Sequence, residues 1–345
     1  MPVSAAKREL ELLRPPADAE GSPGPELPVS GRRMRPIVER LRIYASLPET
    51  LLIAGPTGAG KSRLARWVHQ CSPRAAHELV TVDLLTIPRD MQMAELFGWR
   101  RGAFTGAVRD QDSAVARAGE GTLFIDEIDK LSLACQAGLL RLLEERCYRV
   151  LGDRGTDLRC DARIVAGTNV DLRRAVTRGE FREDLYYRLN VLVTELPGLD
   201  ERRDEIPAWA DFMAARRRRE AGDAGPGALD SDACARLAAV SWPGNLRQLD
   251  NVIRRAWALG LTAGRATISL SDVDLALADE AGAPTHDDAL SLLVRAAEAL
   301  VDEQLRRPEH QRLGLDDLDV FRGFVLERAS ARLGELGDAY CLFGA

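Results

Sequence analysis

The chain is 345 residues long, with 29% charged and 46% hydrophobic residues, so it exceeds one ordinary domain and can bury a sizeable core. That balance excludes disorder throughout, and no apolar run approaches the roughly 18 residues that mark a membrane helix. A net charge of −6, from 47 basic and 53 acidic residues, excludes a chain that coats nucleic acid along its whole length.

Residues 1–31 hold Pro15, Pro16, Pro23, Pro25 and Pro28 among Gly, Ala and Glu and read as a disordered arm. No uninterrupted apolar stretch follows the early charges, so the arm is not a signal peptide. Order is expected from near Arg35, with Pro36 in the first turn of a helix that carries Ile37, Val38, Leu41 and Tyr44 on one face. Short apolar strands then alternate with helical patterns: LLIAG (51–55), ELVTVDL (78–84), TLFIDEI (122–128), RIVAGTN (163–169) and NVLVTEL (190–196). Strands apolar on both faces and separated by helices indicate an α/β core over 32–198, a parallel sheet flanked by helices.

Residues 199–270 contain no comparable strand and read as a small helical domain. Its basic run, Arg216–Arg219, reads as a solvated helix face rather than a DNA contact. A linker is expected over 271–289, where ADEAGAPTHDD is acidic, followed over 290–345 by two amphipathic helices. Leu290, Leu293, Val294, Ala297 and Val301 line the first; Leu318, Phe321, Val325 and Leu333 line the second. Residues 271–345 carry −9 and residues 1–270 carry +3, whereas a DNA-reading tail should be basic. The six cysteines (71, 135, 147, 160, 234, 341) form no CxxC pair or Cys/His cluster, which fits reduced thiols in the cytoplasm.

Gly55-Pro56-Thr57-Gly58-Ala59-Gly60-Lys61-Ser62 fits G-x-x-x-x-G-K-[ST], between a strand and the helical pattern RLARWVHQ. Its glycines let backbone N–H groups turn inward on phosphate oxygens, and the helix N-terminus adds positive potential. Only three of the basic residues are lysines (Lys7, Lys61 and Lys130), and Lys61 has a chemical reason to be one. A compact ammonium fits a phosphate cradle that the larger planar guanidinium does not. Ser62 offers a hydroxyl to Mg²⁺, and Asp126, at the carboxyl end of TLFIDEI, holds the metal through water. Glu127 is placed to polarise an attacking water. Asn169 closes RIVAGTN and either orients that water, senses the γ-phosphate, or forms a turn.

With these residues in place, the chain resembles the AAA+ ATPases that activate sigma-54 RNA polymerase, the bacterial enhancer-binding proteins. The most specific segment is ELFGWRRGAFTGAVRD (95–110), whose Gly102, Ala103, Phe104, Thr105, Gly106 and Ala107 form the GAFTGA loop of that family. GTLFIDEI, FREDLYYRLNV (181–191), LPGLDERRDEIP (196–207) and WPGNLRQLDNVIRRA (242–256) follow in the family's order, over residues 29–270. The resemblance implies an AAA+ core with a helical lid and ATP and Mg²⁺ as cofactors. It also implies a homo-oligomeric ring, a hexamer, acting on the sigma-54 polymerase holoenzyme. GAFTGA looks like the loop that touches sigma-54, with Phe104 an exposed anchor. Arg182 and Arg188 sit where the family places arginines that reach the neighbouring subunit's γ-phosphate; a surface ion pair is the alternative for each. Arg247 resembles the lid arginine that senses nucleotide, and a second pore loop is expected at Leu151–Asp157.

The chain departs from the family pattern in places. The phosphate loop reads GPTGAGKS instead of GESGTGKE, and Asp83 stands where an asparagine usually holds the catalytic glutamate. Two ionised carboxylates would repel, which leaves that switch open. The first 31 residues are too few and too proline-rich for a sensory domain, so control is expected either from a separate partner or from a domain upstream. VFRGFVLERASARLGELGDAYCLFGA resembles the start of a Fis-like DNA-binding domain, and Ala345 falls where the turn before the recognition helix is expected. Promoter or enhancer DNA remains a partner that the resemblance implies, with the recognition helix expected outside residues 1–345. Two functions compete: an ATP-driven remodeller of closed promoter complexes, and a nucleotide-gated module that binds sigma-54 or a partner with weak turnover. A generic AAA+ chaperone is a third, which GAFTGA opposes.

Overall fold

A computed structural model of the chain describes residues 31–281, positions 154 and 156 excepted. The arm expected over 1–31 lies outside the described residues except for Gly31, as do the two C-terminal helices expected over 290–345. Helix α1 (Met34–Ala45) buries Met34, Ile37, Val38 and Leu41 and carries Pro36 in its first turn, where a missing N–H costs nothing.

All five expected strands form. In chain order they are β1 (Leu51–Ala54), β2 (Leu79–Asp83) and β3 (Thr122–Asp126), then, after a two-residue hairpin of β4 (Cys147–Tyr148) and β5 (Leu158–Arg159), β6 (Arg163–Thr168) and β7 (Leu192–Glu195). The sheet order is β2-β3-β6-β1-β7, and every neighbouring pair is parallel. Helices cover both faces: α1 and α2 (Lys61–Gln70) on one, and α3 (Gln92–Phe97), α4 (Ala114–Ala118), α5 (Leu133–Glu145), α6 (Leu172–Thr177) and α7 (Glu183–Leu189) on the other. Strand alternation divides the apolar residues accordingly, so Leu51 and Ile53 enter one core and Leu52 the other. All six positions of β6 are buried, as a central parallel strand requires. Arg163, at its start, is buried too, and donates to the Ala45 and Tyr44 carbonyls at 2.8 and 2.6 Å, closing the C-terminus of α1.

The lid begins with a 3₁₀ stretch (Leu199–Glu205) and continues as α8 (Ile206–Glu220), α9 (Ser231–Ala239), α10 (Asn245–Thr262) and α11 (Leu270–Ala281). A parallel pairing of two residues each, β8 (Ala228–Leu229) with β9 (Thr267–Ile268), is its only sheet among the described residues. Trp209, Leu237, Trp242 and Ile253 fill its interior. Helix α11 occupies the first part of the stretch expected as linker from 271, burying Val273 and Ala276. The run Arg216–Arg219 is not a uniformly solvated face: Arg216 and Arg217 are half-buried and share Asp250 at 2.8 and 3.0 Å. Among the described residues no helix is long and apolar enough to cross a membrane, and the five described cysteines are unpaired.

Candidate functional site

The carboxyl ends of β1, β3 and β6 lie side by side, with Ala54 paired to Thr168 and Asp83 to Asp126. Ligands of open α/β sheets bind at such an edge. The chain leaves β1 through the glycine loop and enters α2 at Lys61, with Gly60 (φ 107°) as the left-handed cap. Lys61 is buried; its Nζ donates to the Gly55 carbonyl at 3.1 Å and stands 3.7 Å from Glu127 Oε1. Ser62 Oγ donates to Asp126 Oδ2 at 2.8 Å. A hydroxyl and a carboxylate so joined are hard oxygen donors of the kind that hold Mg²⁺ alongside phosphates and water, so the residues present fit that ion.

Glu127 adopts a left-handed backbone (φ 55°, ψ 49°), an uncommon conformation for a non-glycine residue and one that clusters at functional sites. Its carboxylate is buried, and Oε2 has no hydrogen-bond partner. Burial pushes its pKa above the usual glutamate value, while Lys61 pulls the other way. An unpartnered carboxylate oxygen with raised proton affinity suits a base that acts through a water. Asn169 lies at the rim, with Nδ2 donating to Thr57 Oγ1 at 2.9 Å.

Lid and loop close over a cavity of about 290 Å³, lined by Thr57, Lys61, Ser62, Asp126, Glu127 and Arg247 among others. Two side chains that join the halves were not singled out from the sequence. Asn245, at φ 54°, donates from Nδ2 to the Thr57 carbonyl at 2.9 Å and accepts the Leu199 N–H at 2.7 Å. Arg202, buried, donates to the Ala59 carbonyl at 2.6 Å and pairs with Glu205 at 3.3 Å. Leu246 N–H donates to the Gly58 carbonyl at 3.0 Å, and a Cβ on Gly58 (φ 75°) would collide with the Gly244 carbonyl. Loop and lid therefore touch backbone to backbone. Asn245→Ala would strand the buried Leu199 N–H and put alanine at positive φ, lowering stability by about 2 kcal/mol, as urea unfolding can measure.

Arg182 and Arg188 are exposed and do not line this cavity. Arg182 forks onto Asp184 at 3.0 and 2.7 Å, and Arg188 reaches the Leu143 carbonyl at 3.5 Å. Asp83 Oδ1 accepts the Leu85 N–H at 3.0 Å, closing its own turn.

The segment 99–111 is a closed loop. Trp99 bridges Gln111, Gly102 N–H donates to the Ala107 carbonyl at 2.8 Å, and Arg100 pairs with Asp110 at 3.0 Å. Gly102 (φ 84°) and Gly106 (φ 101°) have open space where a Cβ would be, so their role is to turn the chain. Ala103 and Phe104 lie between them, and Thr105 is exposed. Phe104 is not the exposed anchor expected: it is half-buried, edge-on against Trp99 at 5.6 Å. The exposed apolar side chain beside the loop is Val108, at 82%. Leu151, in the expected second loop, hydrogen-bonds Gly98 and Arg100, so the two loops are joined at their base.

A five-stranded parallel sheet, a glycine loop with Lys-Ser at a helix start, an Asp-Glu pair beside it and a helical lid define a P-loop protein of the AAA+ class. Residues 28–195 match the family described as Sigma-54 interaction domain, and residues 200–289 match the AAA+ ATPase lid domain. The chain is 42% identical over 223 residues to the transcriptional regulatory protein GlrR of Escherichia coli strain K12, covering 65% of this chain and 50% of GlrR. It is 39% identical over 252 residues to the DNA-binding transcriptional regulator NtrC of Rhizobium meliloti strain 1021, covering 72% and 51%. The crystal structure of NtrX from Brucella abortus in complex with ATP aligns with a TM-score of 0.63 at 27% identity, over 99% of this chain and 73% of that one. The chain belongs to the sigma-54-dependent activator family of AAA+ proteins, and it spans about half the length of these curated relatives.

Proposed function

We propose that the chain hydrolyses ATP in a homo-oligomeric ring, a hexamer, and uses the cycle to drive its GAFTGA loop against sigma-54, converting closed promoter complexes to open ones. One observation carries this reading: Lys61, Ser62, Asp126 and Glu127 meet in one lid-covered cavity, while Arg182 and Arg188 stand outside it. A chain with its phosphate-binding lysine, metal ligands and base in one cavity, and two exposed arginines elsewhere, is built to receive the last charge from a neighbour.

In this reading the loop N–H groups and Lys61 bind the β- and γ-phosphates. Ser62 and Asp126 hold Mg²⁺, which supplies charge neutralisation on the phosphate oxygens. Glu127 accepts the proton of the attacking water through its unpartnered oxygen. Asn169, anchored on Thr57, orients that water or reads the γ-phosphate, and Arg247 reports occupancy to the lid. Arg182 and Arg188 act on the adjoining subunit's nucleotide. Gly102, Ala103, Phe104, Thr105, Gly106 and Ala107 contact sigma-54, with Val108 adding apolar surface. The site of action is the cytoplasm, on promoter complexes.

The test is steady-state ATP hydrolysis across protein concentration. Trans-acting arginines predict a rate that rises faster than linearly; a flat, negligible rate would favour a nucleotide-gated binder instead. Thr105→Ala should keep ATP turnover within about twofold and lose open-complex formation in a sigma-54 transcription assay, a loss of at least tenfold, or about 1.4 kcal/mol of coupling. Persistence of both activities would break the link between loop and polymerase.

A further inference from the structure

Arg63, one residue past Ser62 on α2, lines the cavity. Its guanidinium lies 5.1 Å from the ring centre of Trp209 and 5.2 Å from that of Phe212, both on lid helix α8. The two rings pack edge to face with centres 6.0 Å apart, so they form one apolar shelf under one cation. The cavity-lining arginine of α8 itself, Arg216, is held by Asp250 at 2.8 Å. Arg63 is half-buried and faces π-electrons where Arg216 faces a carboxylate. Burial, reinforced by Arg216, lowers its pKa.

Trp209 is tied to the phosphate loop a second time. Its Nε1–H donates to Glu205 Oε2 at 3.3 Å, Glu205 pairs with Arg202 at 3.3 Å, and Arg202 donates to the Ala59 carbonyl at 2.6 Å. Trp209 thus stands between Ala59 and Arg63, with Lys61 midway between those two in sequence. The buried arm through Arg202 fixes the root of the lid. The half-buried arm through Arg63 bears on the cavity side, where α8 carries Arg216.

We propose that Arg63 is a positioning residue for nucleotide binding: stacked on Trp209 and Phe212, it sets how far the lid closes over the phosphate loop. The inference rests on reading the cavity as a nucleotide site. Arg63 acts on the nucleotide through the lid, so its loss loosens binding and spares the chemistry at Glu127.

The experiment measures binding of a non-hydrolysable ATP analogue, with Mg²⁺, to wild type, Arg63→Met, Arg63→Lys and Phe212→Leu, together with the KM and kcat of hydrolysis. Arg63→Met, which keeps the stem and removes the planar cation, should raise Kd and KM about five- to tenfold and leave kcat within twofold. Arg63→Lys, which keeps charge without the planar face, should recover part of the loss. Phe212→Leu should weaken binding less, and adding it to Arg63→Met should cost nothing more, because both remove the same stack. An unchanged Kd in Arg63→Met overturns the proposal. So do effects of the two substitutions that multiply, since Arg63 would then touch the nucleotide independently of the shelf. Should Arg63→Met fail to fold, Arg63→Lys carries the test: a Kd equal to wild type overturns the proposal and a raised one supports it. Failure of wild type itself to bind the analogue overturns the nucleotide reading, and is distinguished by needing no variant.

Discussion

Glu127→Gln should stop ATP turnover, by about 10²- to 10⁴-fold, and leave nucleotide bound. Glutamine matches glutamate in shape, so the left-handed turn at position 127 and the neighbouring contacts persist. It cannot take a proton, and Lys61, 3.7 Å away, loses a counter-charge. The lysine is then more available to the phosphates, so affinity holds or rises while hydrolysis fails. Burial sets the sign of the pH response in the wild type. The base works only when ionised, and burial favours its neutral form. The rate should therefore fall, as pH drops, at higher pH than an ordinary glutamate would impose. The measurements are single-turnover hydrolysis and equilibrium binding on the same preparations. Turnover retained in Glu127→Gln would remove Glu127 from the mechanism and leave Asp126 with its Ser62 contact as the place to look next.

The sheet was readable because its inner strands, β1, β3 and β6, are apolar on both faces, a pattern that parallel burial imposes regardless of what packs on it. The phosphate loop was readable because its demands are local: glycines where a Cβ cannot go, then Lys61 and Ser62 at a helix start. What depends on a distant partner was not. Helix α11 reads as acidic linker until Val273 and Ala276 meet the lid interior. Phe104 reads as an exposed anchor until the bridge between Trp99 and Gln111 folds the loop back and supplies a ring to lean on. Arg63 and Arg202 were hidden by abundance, since the chain places arginine at nearly every basic position. Asn245 carried a faint signal: asparagine tolerates the left-handed turn after Pro243-Gly244, but its two bonds span from residue 57 to residue 199.

That abundance makes Lys61→Arg a sharp test. By charge it is conservative, and by the habit of this chain it is the expected residue. In the cavity it should be severe, weakening ATP binding about 100-fold. Lys61 is 5% exposed, and its ammonium is a point donor fitted between the Gly55 carbonyl and Glu127. A guanidinium is longer and planar, and must either push the loop outward or swing away from the phosphate position. The loop has little slack, because Gly58 is already against the Gly244 carbonyl and the Ala59 carbonyl is held by Arg202. Lys130→Arg is the internal control. Lys130 pairs with Asp129 at 2.9 Å, is 41% exposed, and does not line the cavity. The Lys130 side chain reaches solvent beside the buried Asp129, so a longer cation has room there and the affinity for ATP should match wild type. Titration of a fluorescent ATP analogue against both variants separates the cases. Equal, unchanged affinities would mean that position 61 needs only positive charge, and that the lysine there is an accident of composition.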